Sequence, residues 1–218
     1  MKRKFFLLTA ISLAFSLFLT ATACKQGDIG EEKAKEIALN YINSMFDANE
    51  TEATVTLEKV ECYRDASGAL VTTGDGEFSE RWVYYVRVPL ATTMTKYEVS
   101  VLGSTGEVIY ASHSIVDVIL TDAQKKQAEE LYAETSEWEA KHMEALQSLK
   151  LACMDWAKAK LGESRPIVLD ANRGEMPRVQ IRQFDRGYYV VTRDGRVYSV
   201  AMNWPSLQVL GIEAEYAK

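Results

Sequence analysis

The sequence is poor in the residues that carry most metal and catalytic chemistry. It has only two histidines and three cysteines in 218 residues. Neither His113 nor His142 has a partner at a metal-ligand spacing, and no string typical of a serine hydrolase, phosphate loop, zinc protease or dinucleotide-binding site occurs. Asp65, Ser67 and Asp75 lack the ligand order of a calcium-binding loop. The sequence therefore predicts no catalytic residue, no metal and no cofactor, and it indicates that the protein is not an enzyme.

Positive charge is also scarce beyond the N-terminus. Removing residues 1–23 takes away three of the 25 basic residues and none of the 31 acidic ones, which leaves a net charge of −9. An acidic surface repels nucleic acid and anionic lipid headgroups. Nucleic acid is therefore excluded as a predicted partner.

Long apolar runs are absent except at the N-terminus. Lys2, Arg3 and Lys4 precede the apolar run 5–19, and small residues then lead to Cys24. This order is typical of an export signal. The tetrapeptide 21–24, Ala-Thr-Ala-Cys, resembles the bacterial lipobox, although it has Ala21 where that motif prefers leucine. The resemblance implies a signal peptide over residues 1–23 and acylation of Cys24 with palmitate-type chains.

A lipidated Cys24 predicts a protein held at the cell membrane or outer membrane and facing away from the cytoplasm. Two acyl chains anchor stably, since each buried methylene contributes about 0.8 kcal/mol, whereas one chain is marginal. Two alternatives remain: ordinary cleavage nearby, or an uncleaved membrane helix of about 19 residues, near the lower length limit. Residues 24–28 are interpreted as a polar tether, and no later apolar stretch approaches membrane length, so we expect a soluble mature part.

The two remaining cysteines leave two readings open. Cys62 falls in a predicted strand and Cys153 in a predicted helix, and neither belongs to a C-x-x-C motif. An oxidising envelope would permit a Cys62–Cys153 disulfide. Two isolated, buried thiols are an equally simple interpretation.

The segment 30–46 has apolar residues at i, i+3 and i+4 steps, which predicts an amphipathic helix. Strand patterns follow at 53–63, 81–88, 97–101 and 107–110, with turn sequences at 65–68, 74–76 and 104–106. We therefore predict one helix followed by an antiparallel meander.

Residues 29–38 (Ile-Gly-Glu-Glu-Lys-Ala-Lys-Glu-Ile-Ala), with the later Tyr-Glu-Val-Ser-Val of 97–101 and Thr-Gly-Glu-Val-Ile of 105–109, resemble a PepSY domain. The insert 64–80 departs from that family's pattern. The resemblance implies a cystatin-like helix packed on a small sheet over residues 29–116. Because the family includes propeptides of metallopeptidases and envelope modules thought to restrain peptidases, it also implies regulation and not catalysis.

Helix-forming residues dominate from Thr121 to Leu161, with Thr121 as the expected N-cap and Gly162 as the expected stop. Apolar residues recur every three or four positions, so we predict one long helix, straight or bent, docked on a sheet. Strand patterns return at 166–169, 179–184, 188–192, 197–202 and 208–212.

The second half resembles a diverged copy of the first. Tyr97, Val99, Val101, Val108 and Ile109 match, at an offset of 101, the residues Tyr198, Val200, Met202, Val209 and Leu210. The Tyr-Tyr-Val sequences at 84–86 and 188–190 match as well, as do Ile37, Ala38 and Ile42 with Leu151, Ala152 and Trp156. We predict an α+β protein of two helix-plus-antiparallel-sheet units, the second over residues 117–218. Coincidental β alternation is the alternative.

Adjacent tyrosines are the remaining candidates for function. In each of the pairs Tyr84–Tyr85 and Tyr188–Tyr189, alternation lets only one ring face the helix. The outward rings either stiffen an exposed sheet or anchor a protein partner. The functional hypothesis is a non-enzymatic binding module that modulates a peptidase or another envelope protein. The alternative is a structural or assembly lipoprotein with no peptidase partner.

Overall fold

The computed structural model describes residues 28–64, 70–71, 77–131, 133, 136–171 and 183–215, without the side chains of 61–64, 70–71, 77–79 and 215. The predicted signal peptide, Cys24 and the tether up to residue 27 lie outside these residues. So do the predicted turns at 65–68 and 74–76.

Helix α1 (Glu31–Met45) confirms the first predicted helix. Glu31 and Glu32 place negative charge in its first turn, where the helix dipole stabilises it. Ala34, Ala38 and Ile42, spaced four residues apart, form its fully buried stripe. This stripe fixes which side of the helix faces the sheet.

The first half continues as an antiparallel meander, as predicted, because each long strand pairs with the next one along the chain. A two-residue strand, β2, pairs with the outer end of β1. The strands are β1 (Thr54–Arg64), β2 (Leu70–Val71), β3 (Glu77–Ala91), β4 (Met94–Leu102) and β5 (Val108–His113).

The predicted long helix is wrong in one respect, because the structure has two helices, α2 (Asp122–Leu131) and α3 (Trp138–Leu161). Ser136 and Glu137 form a turn before α3. The apolar spacing did not reveal this break, because both helices bury residues in one core cluster and the stripe therefore continues across it.

Both predicted ends of this helical region are confirmed. Thr121 and Gln124 exchange hydrogen bonds at the start of α2, in the reciprocal pattern of a capping box. Gly162 ends α3 in the left-handed conformation, with φ of 66°.

In the second half, the described residues form the strands β6 (Ile167–Asp170), β7 (Phe184–Val191), β8 (Val197–Trp204) and β9 (Val209–Glu215). They match the strands predicted at 166–169, 188–192, 197–202 and 208–212. Of the strand predicted at 179–184, residues 179–182 lie outside the described residues, and Phe184 begins β7.

The nine strands of the described residues form one antiparallel sheet in the order β2-β1-β3-β4-β5-β9-β8-β7-β6. The halves meet where β5 pairs with β9, and Ala111 lies opposite Ile212. Ala111 packs in the cluster under α1 and Ile212 in the cluster under α3. Because cross-strand partners share a face, helices α1 and α3 cover the same face of the sheet. The fold is α+β.

The β4–β5 and β8–β9 hairpins match each other at an offset of 101. Val99 pairs with Ala111 as Val200 pairs with Ile212, and the irregularity after Ser100 recurs after Ala201. Their turns also share hydrogen bonds: the amide of Gly106 donates to the carbonyl of Leu102 over 2.8 Å, and that of Leu207 to Asn203 over 2.8 Å. Gly106 and Leu207 both have positive φ. The sequence correspondence in these hairpins therefore extends to the backbone.

The correspondence predicted for β3 and β7 is displaced by two residues. Val86 lies opposite Val99, and the residue opposite Val200 is Tyr188. Tyr188 therefore occupies the place of Val86 and not that of Tyr84. A shift of two residues keeps every side chain on its face, so the sequence pattern could not detect it.

The helix correspondence is displaced as well. Leu151, matched with Ile37 from the sequence, is 49% exposed, and the buried positions of α3 are Ala145, Leu149, Cys153 and Ala157. The sequence also predicts that Trp156 faces the core, but Trp156 is only partly buried. Its indole N–H donates to the carbonyl of Met45 over 3.2 Å. Trp156 therefore contacts α1 as well as the cluster under α3.

Candidate functional site

One tyrosine of each adjacent pair faces the helices. Tyr84 is 4% exposed and packs under α1, and its hydroxyl donates to the carboxylate of Asp28 over 2.8 Å. Tyr188 is 1% exposed and packs under α3, and its hydroxyl lies 3.3 Å from the carbonyl oxygen of Leu146. Both rings are therefore core residues and are not available to a partner.

The other tyrosine of each pair points to the opposite face, on which no helix packs among the described residues. Tyr85 and Tyr189 are half-buried there. The guanidinium of Arg87 lies 5.6 Å from the centre of the Tyr85 ring and also donates to Glu98. Tyr85 and Tyr189 are thus the two predicted tyrosines that a partner can reach.

The strand pairing places both outward tyrosines in a single row across the open face. Residues in register on neighbouring strands share a face, and successive pairs connect β1 to β6 without a gap. From one edge to the other, the row reads Thr56, Tyr85, Ser100, Tyr110, Glu213, Ser199, Tyr189 and Leu169. We call it the tyrosine row. Tyr85 and Tyr189 are separated by five strand spacings, or roughly 24 Å.

Tyr110, in the middle of the row, is 39% exposed and was missed from the sequence. It precedes Ala111, which is fully buried under α1. Strict alternation within β5 would have assigned Tyr110 to the open face. The prediction from sequence singled out adjacent tyrosines, and Tyr110 has no tyrosine next to it in the sequence.

The edge strand β6 adds aliphatic surface at one end of the same face. Ile167 is 57% exposed and Leu169 is 51% exposed, whereas Val168 between them is buried. Leu169 lies opposite Tyr189, and Ile167 lies opposite Val191. This end of the open face is therefore its most apolar part.

A second polar cluster lies at the junction of the two halves, on the helix side. The His113 ring stacks on Tyr97 with centroids 4.6 Å apart, and its Nε2 lies 3.0 Å from Oδ2 of Asp117. Lys96 Nζ bridges Glu50 at 3.0 Å and Asp117 at 3.5 Å. A cleft of about 470 Å³ opens beside this cluster, with Phe46 and Trp156 on its walls.

Two groups of this cluster, Lys96 and Tyr97, have raised pKa values. The hydrogen bond to Glu50 raises the pKa of Lys96, and burial raises the pKa of Tyr97. The i, i+4 spacing of His113 and Asp117 was visible in the sequence, but His113 was predicted only to end a strand, which it does. Because Lys96 and His113 both already contact the carboxylate of Asp117, the cluster is best described as a link that orients the end of β5.

Of the two readings left open for Cys62 and Cys153, the structure favours isolated thiols over a disulfide. Cys153 is a free cysteine at the fully buried centre of α3, and burial raises the pKa of its thiol to about 12. Cys62 belongs to β1, which lies on the other side of β5 from the strands under α3. The strands between them separate the two backbones by far more than the roughly 7 Å that a disulfide spans.

Within the described residues, no three His, Cys, Asp or Glu side chains come together in a way that would hold a metal ion. No helix in that part of the chain combines the length and hydrophobicity needed to span a bilayer.

No family model matches the chain, and no curated protein sequence matches it. Among solved structures, the Bacillus megaterium YpeB C-terminal domain aligns with 88% of this chain and 68% of its own, at 11% sequence identity and a TM-score of 0.40. A likeness at this TM-score assigns neither family nor function, so the PepSY resemblance stays a prediction from sequence.

Proposed function

We propose that this protein is a lipid-anchored, envelope-facing module that binds another envelope protein, such as a peptidase, through the open face of its sheet. It carries out no catalysis of its own. The observation that carries the proposal is the division of the sheet: both helices cover one face, and the other presents the tyrosine row. Tyrosine is a frequent anchor of protein interfaces because it buries a large rigid surface and keeps a polar end.

The start of the described chain supports an orientation for the anchored protein. The amide of Ile29 donates to the carbonyl of Gly103 over 2.9 Å, and Asp28 accepts from Tyr84, so the chain enters beside the β4–β5 turn. Four residues, 24–27, separate this point from a lipid on Cys24, and they span at most about 14 Å. The β4–β5 turn would then lie near the membrane.

The opposite end of the sheet would point away from the bilayer. Because β5 and β9 are antiparallel, the β8–β9 turn lies at the end opposite the β4–β5 turn. The sheet would therefore stand upright, with the tyrosine row accessible from the side. A partner in the same envelope layer can approach a face held in this way.

The finer architecture in this proposal is a pair of PepSY-like units that arose by duplication. The common register, irregularity and turn hydrogen bonds of the β4–β5 and β8–β9 hairpins support it. The displaced helix and β7 correspondences mark the divergence of the second unit. The predicted boundary at residue 116 falls inside the short 3-10 turn Ile115–Asp117, directly after β5.

Site-specific photo-crosslinking in intact cells tests the proposal. A photo-reactive residue at Tyr85 or at Tyr189 should crosslink the protein to the same envelope protein, which mass spectrometry identifies. The matched control is Glu36, an exposed residue on α1, which should give no such product. Cys24→Ala should release the folded protein from the membrane fraction.

Each outcome has a distinct meaning. A crosslinked peptidase supports regulation of that enzyme, whereas a crosslinked wall-synthesis or secretion protein supports the alternative of an assembly lipoprotein. Equal crosslinking from Glu36 and Tyr85 would contradict a specific open-face interface. Full membrane retention of Cys24→Ala would indicate an uncleaved membrane helix instead of a lipid anchor.

A further inference from the structure

A row of small residues runs beside the tyrosine row on the open face. Ser112, Gly211, Ala201 and Gly187 lie in register on β5, β9, β8 and β7. This row lacks large side chains, so it forms the floor of a trough across four strands. Three strand spacings give the trough a length of roughly 14 Å.

The trough contains a cleft of about 270 Å³ where β5, β9 and β8 meet. One wall comes from the tyrosine row, through Tyr110, Glu213 and Ser199, and Asp185 contributes from β7. Neither lysine nor arginine is found among the described residues that line it. The cleft therefore offers an aromatic ring, small hydroxyls and two carboxylates.

Two polar atoms in this cleft have no hydrogen-bond partner. The hydroxyl oxygen of Ser199 is buried without one, in a residue that is only 2% exposed, and so is Oδ1 of Asp185. A buried polar group without a partner costs about 1–3 kcal/mol, so such groups are normally satisfied by water or a ligand. Both atoms line the same cleft, which indicates a bound species that donates hydrogen bonds.

We propose that the trough is a binding site for a neutral saccharide chain, a ligand class that goes beyond the protein partner proposed above. Sugar hydroxyl and amide groups would donate to Asp185, Glu213 and Ser199. The C–H face of a sugar ring would stack on the exposed ring of Tyr110. The volume of the cleft is small for a drug-sized ligand and suits a single sugar ring, with neighbouring rings lying along the trough.

The position and the charge of the trough favour some classes of ligand over others. The carboxylate of Asp185, whose Oδ1 is buried without a hydrogen-bond partner, repels sugars that carry acidic groups. An extended peptide gains most of its affinity by adding to a free strand edge, and the cleft lies in the interior of the sheet, where β5, β9 and β8 are paired on both sides. A flat polar trough with an aromatic platform favours a saccharide.

Isothermal titration calorimetry of the full-length chain in detergent tests the site. The probes are a linear N-acetylglucosamine tetramer, an acidic galacturonate oligomer and a tetralysine peptide. The tetramer should bind and the other two should not. Ser199→Ala should raise the Kd of the tetramer about fivefold, as expected for one hydrogen bond.

Two variants separate loss of the site from loss of the fold. Gly211→Val should abolish binding, because the valine side chain would fill the floor of the trough. The fold should tolerate this change, since a Cβ at Gly211 meets only Ala201 Cβ at 3.6 Å and the Ala111 carbonyl oxygen at 3.8 Å, both ordinary contacts. Ser100→Ala is the matched control, because Ser100 is the buried serine of the tyrosine row on β4 and is not among the described residues that line the cleft. It should leave the Kd unchanged.

Three results would overturn the saccharide site. The first is no binding of the tetramer, in which case water alone satisfies Ser199 and Asp185. The second is binding that survives both Ser199→Ala and Gly211→Val. The third is binding of the tetralysine peptide in preference to the tetramer, which would make the trough a basic-peptide site. None of these results affects the crosslinking test at Tyr85 and Tyr189, so the two proposals fail separately.

Discussion

The two halves of this protein share a hairpin but differ in how their helices meet the sheet. The β4–β5 and β8–β9 hairpins keep the same pairs and the same irregularity. Helix α1 has 15 residues, whereas α3 has 24 and is preceded by α2. Backbone hydrogen bonds fix a hairpin's register, but a helix can rotate or slide as long as it buries an apolar stripe. The two halves therefore differ more in their helices than in these hairpins.

The largest expected effect tests which faces of α1 and α3 are buried. Ile42→Asp and Leu149→Asp should each lower the free energy of unfolding by more than about 3 kcal/mol, because each buries an unpaired charge. Leu151→Asp, on the exposed side of α3, should change it by less than about 0.5 kcal/mol. Chemical denaturation followed by circular dichroism measures all three. If Leu151→Asp lost as much unfolding free energy as the other two variants, Leu151 would be buried and would correspond to Ile37, as predicted from the sequence.

The next effect compares the two faces of the sheet. Tyr84→Ala and Tyr188→Ala should each cost about 3 kcal/mol of stability, since both rings fill the core. Tyr85→Ala and Tyr189→Ala should cost less than about 1 kcal/mol but weaken partner binding by about 1–2 kcal/mol. Thermal unfolding and titration with the crosslinked partner give the two readouts. Unchanged binding in both outward variants would leave the tyrosine row with a purely structural role.

A smaller effect is a pH dependence of stability that arises from Cys153 on α3 and has no counterpart on α1. The folded pKa of Cys153 is raised to about 12 by burial, so the folded state keeps this proton after the unfolded state has lost it. The stabilising contribution is fully present below the unfolded pKa, near 8.5, and falls between there and about pH 12, by at most about 1.4 kcal/mol per pH unit.

Cys153→Ala provides the matched variant, because alanine is the residue that α1 carries at Ala38 in its own stripe. Its unfolding free energy should decline less steeply with pH above 9 than that of the unmodified protein. Parallel slopes for the two proteins between pH 9 and 10.5 would argue against a deeply buried thiol.

The smallest effect contrasts the two hairpin turns. At Gly106, φ is +76° and a Cβ would lie 3.0 Å from Cδ1 of Ile37, so Gly106→Ala should destabilise by about 1 kcal/mol. Leu207 adopts φ of +58° with a side chain, so Leu207→Gly should stabilise by about 0.5 kcal/mol. Thermal unfolding of the pair should give shifts of opposite sign. Shifts of the same sign would show that the turns are not equivalent.

The sequence alone determined the local elements and their faces. Alternation in β4, β5, β8 and β9 and the four-residue spacing of α1 predicted strands and a helix that the structure contains. It also established that only one ring of each tyrosine pair faces the helix. These features repeat every two or about 3.6 residues, so a single chain segment reports them. The break between α2 and α3 was not predicted, because both helices bury residues in the same core cluster.

Only the tertiary structure decided how these elements combine. The pairing of β5 with β9 joins the two meanders into one sheet, and it connects residues about a hundred positions apart, a contact that no local pattern in the sequence reports. This pairing brings Tyr85, Tyr110 and Tyr189 into one row and places Ser199 and Asp185 in one cleft. It also keeps Cys62 and Cys153 apart. Strand order depends on which long-range contacts bury the most apolar surface together, and that is a property of the assembled core.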